Sequence, residues 1–514
     1  MAALGWPLAL LAVGLLGLLG LALRQRPRLR PRGPPGLPLI GSLHRLRGPG
    51  GPFAALSRLA LVYGDVYEIR LGAAPCVVVS GYDSIREVLV TKGSHFGGRP
   101  DFLRFHRLFG GDRNNSLALC DWSDLQCKRR SIARGFCSPR VGSPREDELS
   151  RVAVQEVQRL LADLDRDESR PVLRGERPLK PLLLAAVANM FTGYMCSTRF
   201  DYRDRDFCGV VRRFDEIFWD INQGYAVDFL PWLAPLYWRH LRRLDAWATE
   251  IRSFILRRIV DEHRRTMDRA GGVPRDFTDA LLLHLESPES ELSWEHAIFE
   301  LEDFLGGHSA IGNLVTLILA NAALRPEVQR RVREECDVVL ARSGRTAGSL
   351  VTLEDRRDMP YTEAVVWETL RVSSSPIVPH VATRDSDIGG FHVPKDAMII
   401  VNNYPLNLAE EYWGPDSKAF RPERFLRRVD GSAEPRFRLH RPGHFMPFST
   451  GKRTCIGQRL VQGFAFVLVA ALFHRFDVFA VRPADVEAML LPGCVAVPPD
   501  PCRLVLAPRA RPGP

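Results

Sequence analysis

One cysteine near the end of this chain constrains its fold more than any other residue. It lies in Phe448-Ser449-Thr450-Gly451-Lys452-Arg453-Thr454-Cys455-Ile456-Gly457, just ahead of an apolar run of helical length that includes Leu460, Phe464, Phe466, Val467, Ala470 and Leu472. Cys455 therefore sits beside the positive end of a helix dipole. The dipole, Lys452 and Arg453 all favour a deprotonated sulfur. Gly451 and Gly457 can take backbone angles closed to other residues, which lets a flat ligand lie close to the main chain. The loop is suited to hold a thiolate, and the rest of the chain must be arranged around it.

The pattern Phe-x-x-Gly-x-Arg-x-Cys-x-Gly, complete from Phe448 to Gly457, resembles the haem-ligand loop of the cytochrome P450 superfamily. The resemblance implies a mainly α fold with small β-sheets (α+β) and haem b (iron protoporphyrin IX) as cofactor. Cys455 would be the axial ligand of the iron, with Phe448, Arg453 and Gly457 lining the haem site. A thiolate pushes electron density onto the iron and favours O–O cleavage.

Glu368-Thr369-Leu370-Arg371 lies in a helical run in which positions three apart share a face. With Arg424 of Pro422-Glu423-Arg424-Phe425 it resembles the superfamily's buried charge cluster, which would fix the segment leading into the Cys455 loop. Haem carries two propionates, and by resemblance Arg99 in Phe96-Gly97-Gly98-Arg99-Pro100, His380 and Arg453 would hold them. The family's Trp-x-x-x-Arg helix is altered here: Trp122 is followed by Gln126, and a basic run Lys128-Arg129-Arg130 comes later. Trp122 and Arg129, seven apart and so on one helical face, are the expected remaining haem contacts.

The distal helix should span residues 293–324, ending before Arg325-Pro326 because a proline disfavours helix at the residue before it. Its centre reads Gly306-Gly307-His308-Ser309-Ala310-Ile311-Gly312-Asn313. Three glycines in a helix interior imply close backbone approach or a kink. The family places an acid and a threonine where this chain has Ser309 and Ala310, and those groups relay protons to oxygen. Ser309, His308 or an ordered water would carry the relay instead, or the substrate's own hydroxyl would. Histidine both accepts and donates near neutral pH. The segment resembles the distal-helix signature of the Spook-type members, the arthropod enzymes of ecdysteroid synthesis, and residues 120–126 do so too. That resemblance implies a sterol substrate, of the 7-dehydrocholesterol type, and electrons from NADPH–cytochrome P450 reductase.

Residues 2–23 carry no charge and are rich in Leu, Ala and Gly, long enough to cross a bilayer. Arg24, Arg26, Arg28, Arg30 and Arg32 follow, which keeps that side cytoplasmic, whereas a cleaved signal peptide would carry its charges first. The expected organisation is a transmembrane signal anchor at 1–23, a basic and proline-rich hinge at 24–41 and one catalytic domain at 42–514, single-pass in the endoplasmic reticulum membrane and facing the cytoplasm. Ten scattered cysteines without a C-x-x-C pair suit a reducing compartment. The net charge of +10 points to anionic membrane and an acidic electron-transfer partner, with no basic-aromatic or zinc motif for nucleic acid. Two other functions fit the distal departure: a haem-thiolate isomerase or dehydratase of lipid peroxides, and a non-catalytic haem- or sterol-binding protein.

Overall fold

The computed structural model describes residues 29–47, 51–268, 273–346, 348–429, 436–490 and 494–509. The expected anchor at 1–23 and the first part of the hinge lie outside these residues. Ten helices of at least thirteen residues dominate what is described: α1 (Gly51–Tyr63), α2 (Asp124–Cys137), α3 (Pro144–Leu164), α4 (Lys180–Cys196), α5 (Arg205–Ile221), α6 (Trp238–Ile255), α7 (Trp294–Ala323), α8 (Pro326–Arg342), α9 (Pro360–Ser373) and α10 (Gln458–Arg475). A helix that is apolar all round has to be enclosed by others. In α4, α7 and α10 most residues are buried, and α7 packs on α4, α5, α6, α9 and α10. Among the described residues α7 is also the one helix long and apolar enough to cross a membrane, but it is the core helix of the fold.

The limits of α7 follow from its sequence. The Ser293 hydroxyl accepts the His296 N–H at 3.1 Å, and His296 Nδ1 accepts the Ser293 N–H at 3.2 Å, closing a capping box. Arg325, held out of the helical region by Pro326, ends it. The helix runs unbroken across its glycines. A Cβ on Gly312 would lie 2.7 Å from Leu184 of α4, one on Gly307 3.2 Å from Phe191 of α4, and one on Gly306 3.2 Å from Phe214 of α5. The glycines serve close helix approach, and no break in the helix accompanies them.

A four-stranded sheet flanks the helices, with β1 (Val66–Leu71), β2 (Ala74–Val79), β3 (His380–Val381) and β4 (Met398–Val401) in the order β1-β2-β4-β3. The β2–β4 pair is parallel and the others antiparallel. A bridge from Gly98 to Val381 ties the loop carrying Arg99 to β3. The described part of the proline-rich segment docks on β1: the Glu68 N–H donates to Arg32 O at 3.1 Å and the Ser42 N–H to Arg70 O at 2.6 Å.

Candidate functional site

The loop before α10 folds back on itself, with the Cys455 N–H donating to Phe448 O at 2.9 Å. Gly451 has φ +73°, and a Cβ there would lie 1.8 Å from Leu89 O, so only glycine fits. Gly457 has φ −77°, open to any residue, so the freedom expected of it is not used. Cys455 is exposed, yet burial raises its thiol pKa, as befits a sulfur facing an enclosed space. The Gly457 N–H and the positive charge of Arg130 pull that pKa back down. The cation acting on the sulfur is thus Arg130. Lys452 is exposed and stacks over Trp122 at 5.4 Å. Arg453 turns away, with Nε donating to Gly97 O at 2.9 Å and Nη2 to Cys120 O at 2.6 Å.

Arg99, Arg453 and His380 converge, and all three are buried. Arg99 donates to Ala118 O at 3.2 Å, Val378 O at 3.1 Å and Pro379 O at 3.2 Å, while His380 Nδ1 meets Phe96 O at 2.7 Å. Trp122 belongs to the same corner, 5.4 Å beneath the Arg453 guanidinium. Burial pushes Arg99 down to about 9, helped by the charges of Arg453 and Arg130, and Arg453 down to about 10. His380 is pushed well below its ordinary range by burial, Arg99 and Arg453.

Among the described residues one carboxylate reaches this corner: Asp121, which accepts the Arg99 backbone N–H at 3.1 Å and is paired with Arg113 at 2.8 Å. Arg453 Nη1, His380 Nε2 and Arg130 Nε are buried without a partner. Buried cations and unpaired polar atoms of this kind call for an anionic ligand. A ligand with two carboxylates, as haem b has, fits them, and it would lie with its iron against Cys455.

Arg129 goes elsewhere. Trp122 precedes α2, whose cap is Ser123 (its hydroxyl accepts the Gln126 N–H at 3.1 Å), so Trp122 and Arg129 share no helical face. Arg129 pairs with Glu300 of α7 at 3.0 Å and donates to Asn115 O at 2.6 Å. Its neighbour Arg130 reaches Thr454 O at 2.6 Å, beside the cysteine loop. Of the two adjacent arginines it is Arg130, and not the expected Arg129, that faces the loop, which only the tertiary structure shows. Gln126, in the family's arginine position, holds Leu117 O at 3.1 Å.

Glu368 accepts from Arg371 Nε at 2.8 Å and Nη2 at 2.7 Å, from Arg424 Nε at 3.0 Å and from the Arg421 N–H at 2.8 Å. Arg371 also donates to Asn407 O at 2.7 Å and Ser417 O at 2.6 Å. The cluster thus staples α9 to the segment after it.

On α7, Asp303, Phe304, Gly306, Gly307 and Ala310 are partly open while Leu305, His308, Ser309 and Ile311 are buried. The spacing of the open set is that of one helix face. His308 lies off it, with Nδ1 against Leu305 O at 2.5 Å and its ring edge-on to Phe214 at 5.3 Å. Burial lowers its pKa, so it is a neutral core histidine. Ser309 Oγ lies 3.5 Å from His308 Nε2. Asp303 escaped the sequence reading although it stands seven residues before Ala310. It accepts from the Leu117 N–H at 2.6 Å and the Ser116 hydroxyl at 2.9 Å, and burial pushes its carboxyl up to about 6.

A sequence profile of the family described as Cytochrome P450 matches residues 31–506. The chain is 46% identical over 499 residues to cytochrome P450 307a1 of Drosophila melanogaster, covering 94% of this chain and 90% of that protein. It is 31% identical over 480 residues to cytochrome P450 1A1 of Rattus norvegicus (88% and 85% covered) and 31% identical over 476 residues to that of Homo sapiens (90% and 88%). The thiolate loop, the dianion-shaped cation pocket and the family match over nearly the whole chain lead to one conclusion: the chain belongs to the cytochrome P450 family, as a haem-dependent monooxygenase that binds haem b through a cysteine thiolate.

Proposed function

We propose that this monooxygenase oxidises a sterol of the 7-dehydrocholesterol type in ecdysteroid synthesis, at the endoplasmic reticulum membrane, with electrons from NADPH–cytochrome P450 reductase. The observation that carries the reading is the open face of α7. Phe304, Ala310 and the parts of Gly306 and Gly307 not covered by Phe214 and Phe191 form an apolar surface, ending one to two turns back at the Asp303 carboxyl. A rigid apolar ring system matches that surface, and the Asp303 carboxyl, already bonded to Ser116 and Leu117, can accept one further hydroxyl. The 46% identity to cytochrome P450 307a1 supports the same substrate class.

The bound haem would supply oxygen activation. Cys455 would hold the iron, and Arg99, Arg130, Arg453 and His380 would hold the propionates and fix the ring in its plane. Exposed Lys452, Arg134 and Arg459 around the proximal loop offer an acidic reductase its docking charges. Titration of the ferric protein with 7-dehydrocholesterol, cholesterol and a planar non-sterol hydrocarbon tests the substrate. Both sterols should shift the Soret band as water leaves the iron. A shift by the hydrocarbon with none by either sterol refutes the proposal.

A further inference from the structure

A buried ionic network lies where the distal helix packs on α4 and α5, about two turns beyond Gly306 on the same side of α7. Lys180 Nζ of α4 meets Asp215 Oδ2 of α5 at 2.6 Å, with side-chain exposures of 1% and 5%. Asp215 Oδ1 accepts from Asn313 Nδ2 at 2.7 Å, and the same nitrogen donates to Ser309 O at 2.7 Å. Asn313 Oδ1 accepts the Val497 N–H at 3.1 Å, and Lys180 also donates to Val497 O at 2.9 Å and Pro498 O at 3.0 Å. Gly312 makes the arrangement possible, because α4 approaches α7 most closely there and Lys180 lies one turn before Leu184.

Residues four apart share a helix face, so Asn313 and Ser309 point the same way. Asp215 therefore stands beside the turn where the family's distal helix carries its own acid and this chain carries Ser309. A buried ion pair gives little net stability compared with a well-packed apolar pair, which makes a purely structural purpose a weak reason for it. A monooxygenase turnover needs a proton source at this turn. It converts O2 and a C–H bond into C–OH and H2O, and the balance consumes two electrons from the redox partner and two protons.

We infer that Asp215 is the proton-relay acid of the distal site, supplied by α5 in place of the distal helix's missing acid. Asn313 holds it at the Ser309–Ala310 turn and Lys180 recharges it. The lowered pKa of Lys180, which burial drives against the pull of Asp215, suits a group that passes a proton on.

The test uses the full-length holoenzyme with reductase and 7-dehydrocholesterol as probe. Failure of the sterol proposal shows in the unsubstituted enzyme, and failure of this one only in the variants. Asp215→Asn should lower product formation about 10²-fold, the scale of a lost general acid, and raise the solvent deuterium isotope effect, with more NADPH diverted to hydrogen peroxide. Asp215→Glu should recover most of the loss. So should the double variant Asp215→Asn/Ser309→Asp, which returns the acid to the distal helix. Infrared spectra give a readout independent of turnover: Lys180→Met should bring up a protonated-carboxyl band that a further Asp215→Asn removes. If Asp215→Asn does not fold, Asn313→Ala, which spares the ion pair, should show the same isotope effect. Wild-type coupling and isotope effect in a folded Asp215→Asn or Asn313→Ala protein, whatever its unfolding temperature, overturns the inference.

Discussion

Replacing Glu368 with glutamine removes one charge from the centre of the buried cluster and keeps its shape. The carboxylate takes three side-chain hydrogen bonds and one backbone hydrogen bond, and its exposure and that of Arg371 are both 0%. The substitution leaves two enclosed guanidinium groups facing an amide. With charge centres about 4 Å apart and an effective dielectric near 20, each pair loses about 4 kcal/mol of attraction. The carboxylate's own desolvation returns several of these, leaving a net loss of about 3–5 kcal/mol. That is a large share of the ~5–15 kcal/mol that holds a typical domain together.

The matched control is Glu363→Gln on the same helix, whose partner Arg356 is 26% exposed. Its cost should be smaller, about 1–2 kcal/mol, because Glu363 is buried but Arg356 keeps contact with water when the charge is lost. Thermal unfolding followed at the Soret band should place Glu368→Gln well below both wild type and control, with a smaller fraction of thiolate-ligated haem after expression. Equal midpoints for the two variants would refute the idea that the cluster depends on its buried negative charge.

Cys455→Ser should abolish the thiolate-type Soret band of the reduced carbon monoxide complex, and a surviving band would remove Cys455 as the ligand. Arg130→Leu should speed haem loss to an apomyoglobin trap roughly tenfold or more, whereas Arg129→Leu should lower thermal stability by ~3–5 kcal/mol, with Glu300 left unpaired, and leave haem loss near wild type. Gly312→Ala should destabilise by about 1–3 kcal/mol because the new methyl meets Leu184, whereas Gly306→Ala, facing only a Phe214 ring edge, should be close to neutral by denaturant unfolding. Burial raises the Glu302 carboxyl from 4.5 to about 8 despite Arg252. The folded state therefore binds more protons than the unfolded one across that window, and stability falls as pH rises from about 5 to 8. Glu302→Gln should flatten this slope in unfolding midpoints taken at several pH values.

What could be read from the sequence was carried by local signals. The Cys455 loop, the Glu368–Arg371 spacing and both ends of α7 depend on residues within a turn of one another, and each lies where that chemistry puts it. The choice between Arg129 and Arg130 was not legible, because adjacent helical residues point about 100° apart and only the packing of α2 against α7 decides which faces the sulfur. Asp215 and Lys180 were hidden for a related reason. Each is an ordinary charged residue on its own helix, and the pair exists only because three glycines let α4 and α5 close on α7. Asp303 is a different case, since its position seven residues before Ala310 was available from the sequence.

The rim of the haem pocket is assembled from residues at 97–99, 130, 380 and 453, with the sulfur at 455, in a chain of 514. Chains emerge from the ribosome N-terminus first. The earlier arginines therefore cannot close the pocket until residues 378–380, Arg453 and Cys455 have been made. Haem capture is a late event in the life of each molecule, and until it occurs the protein holds an unneutralised cluster of positive charge. Cellular haem supply should then set how much of this enzyme survives quality control as well as how much of it is active.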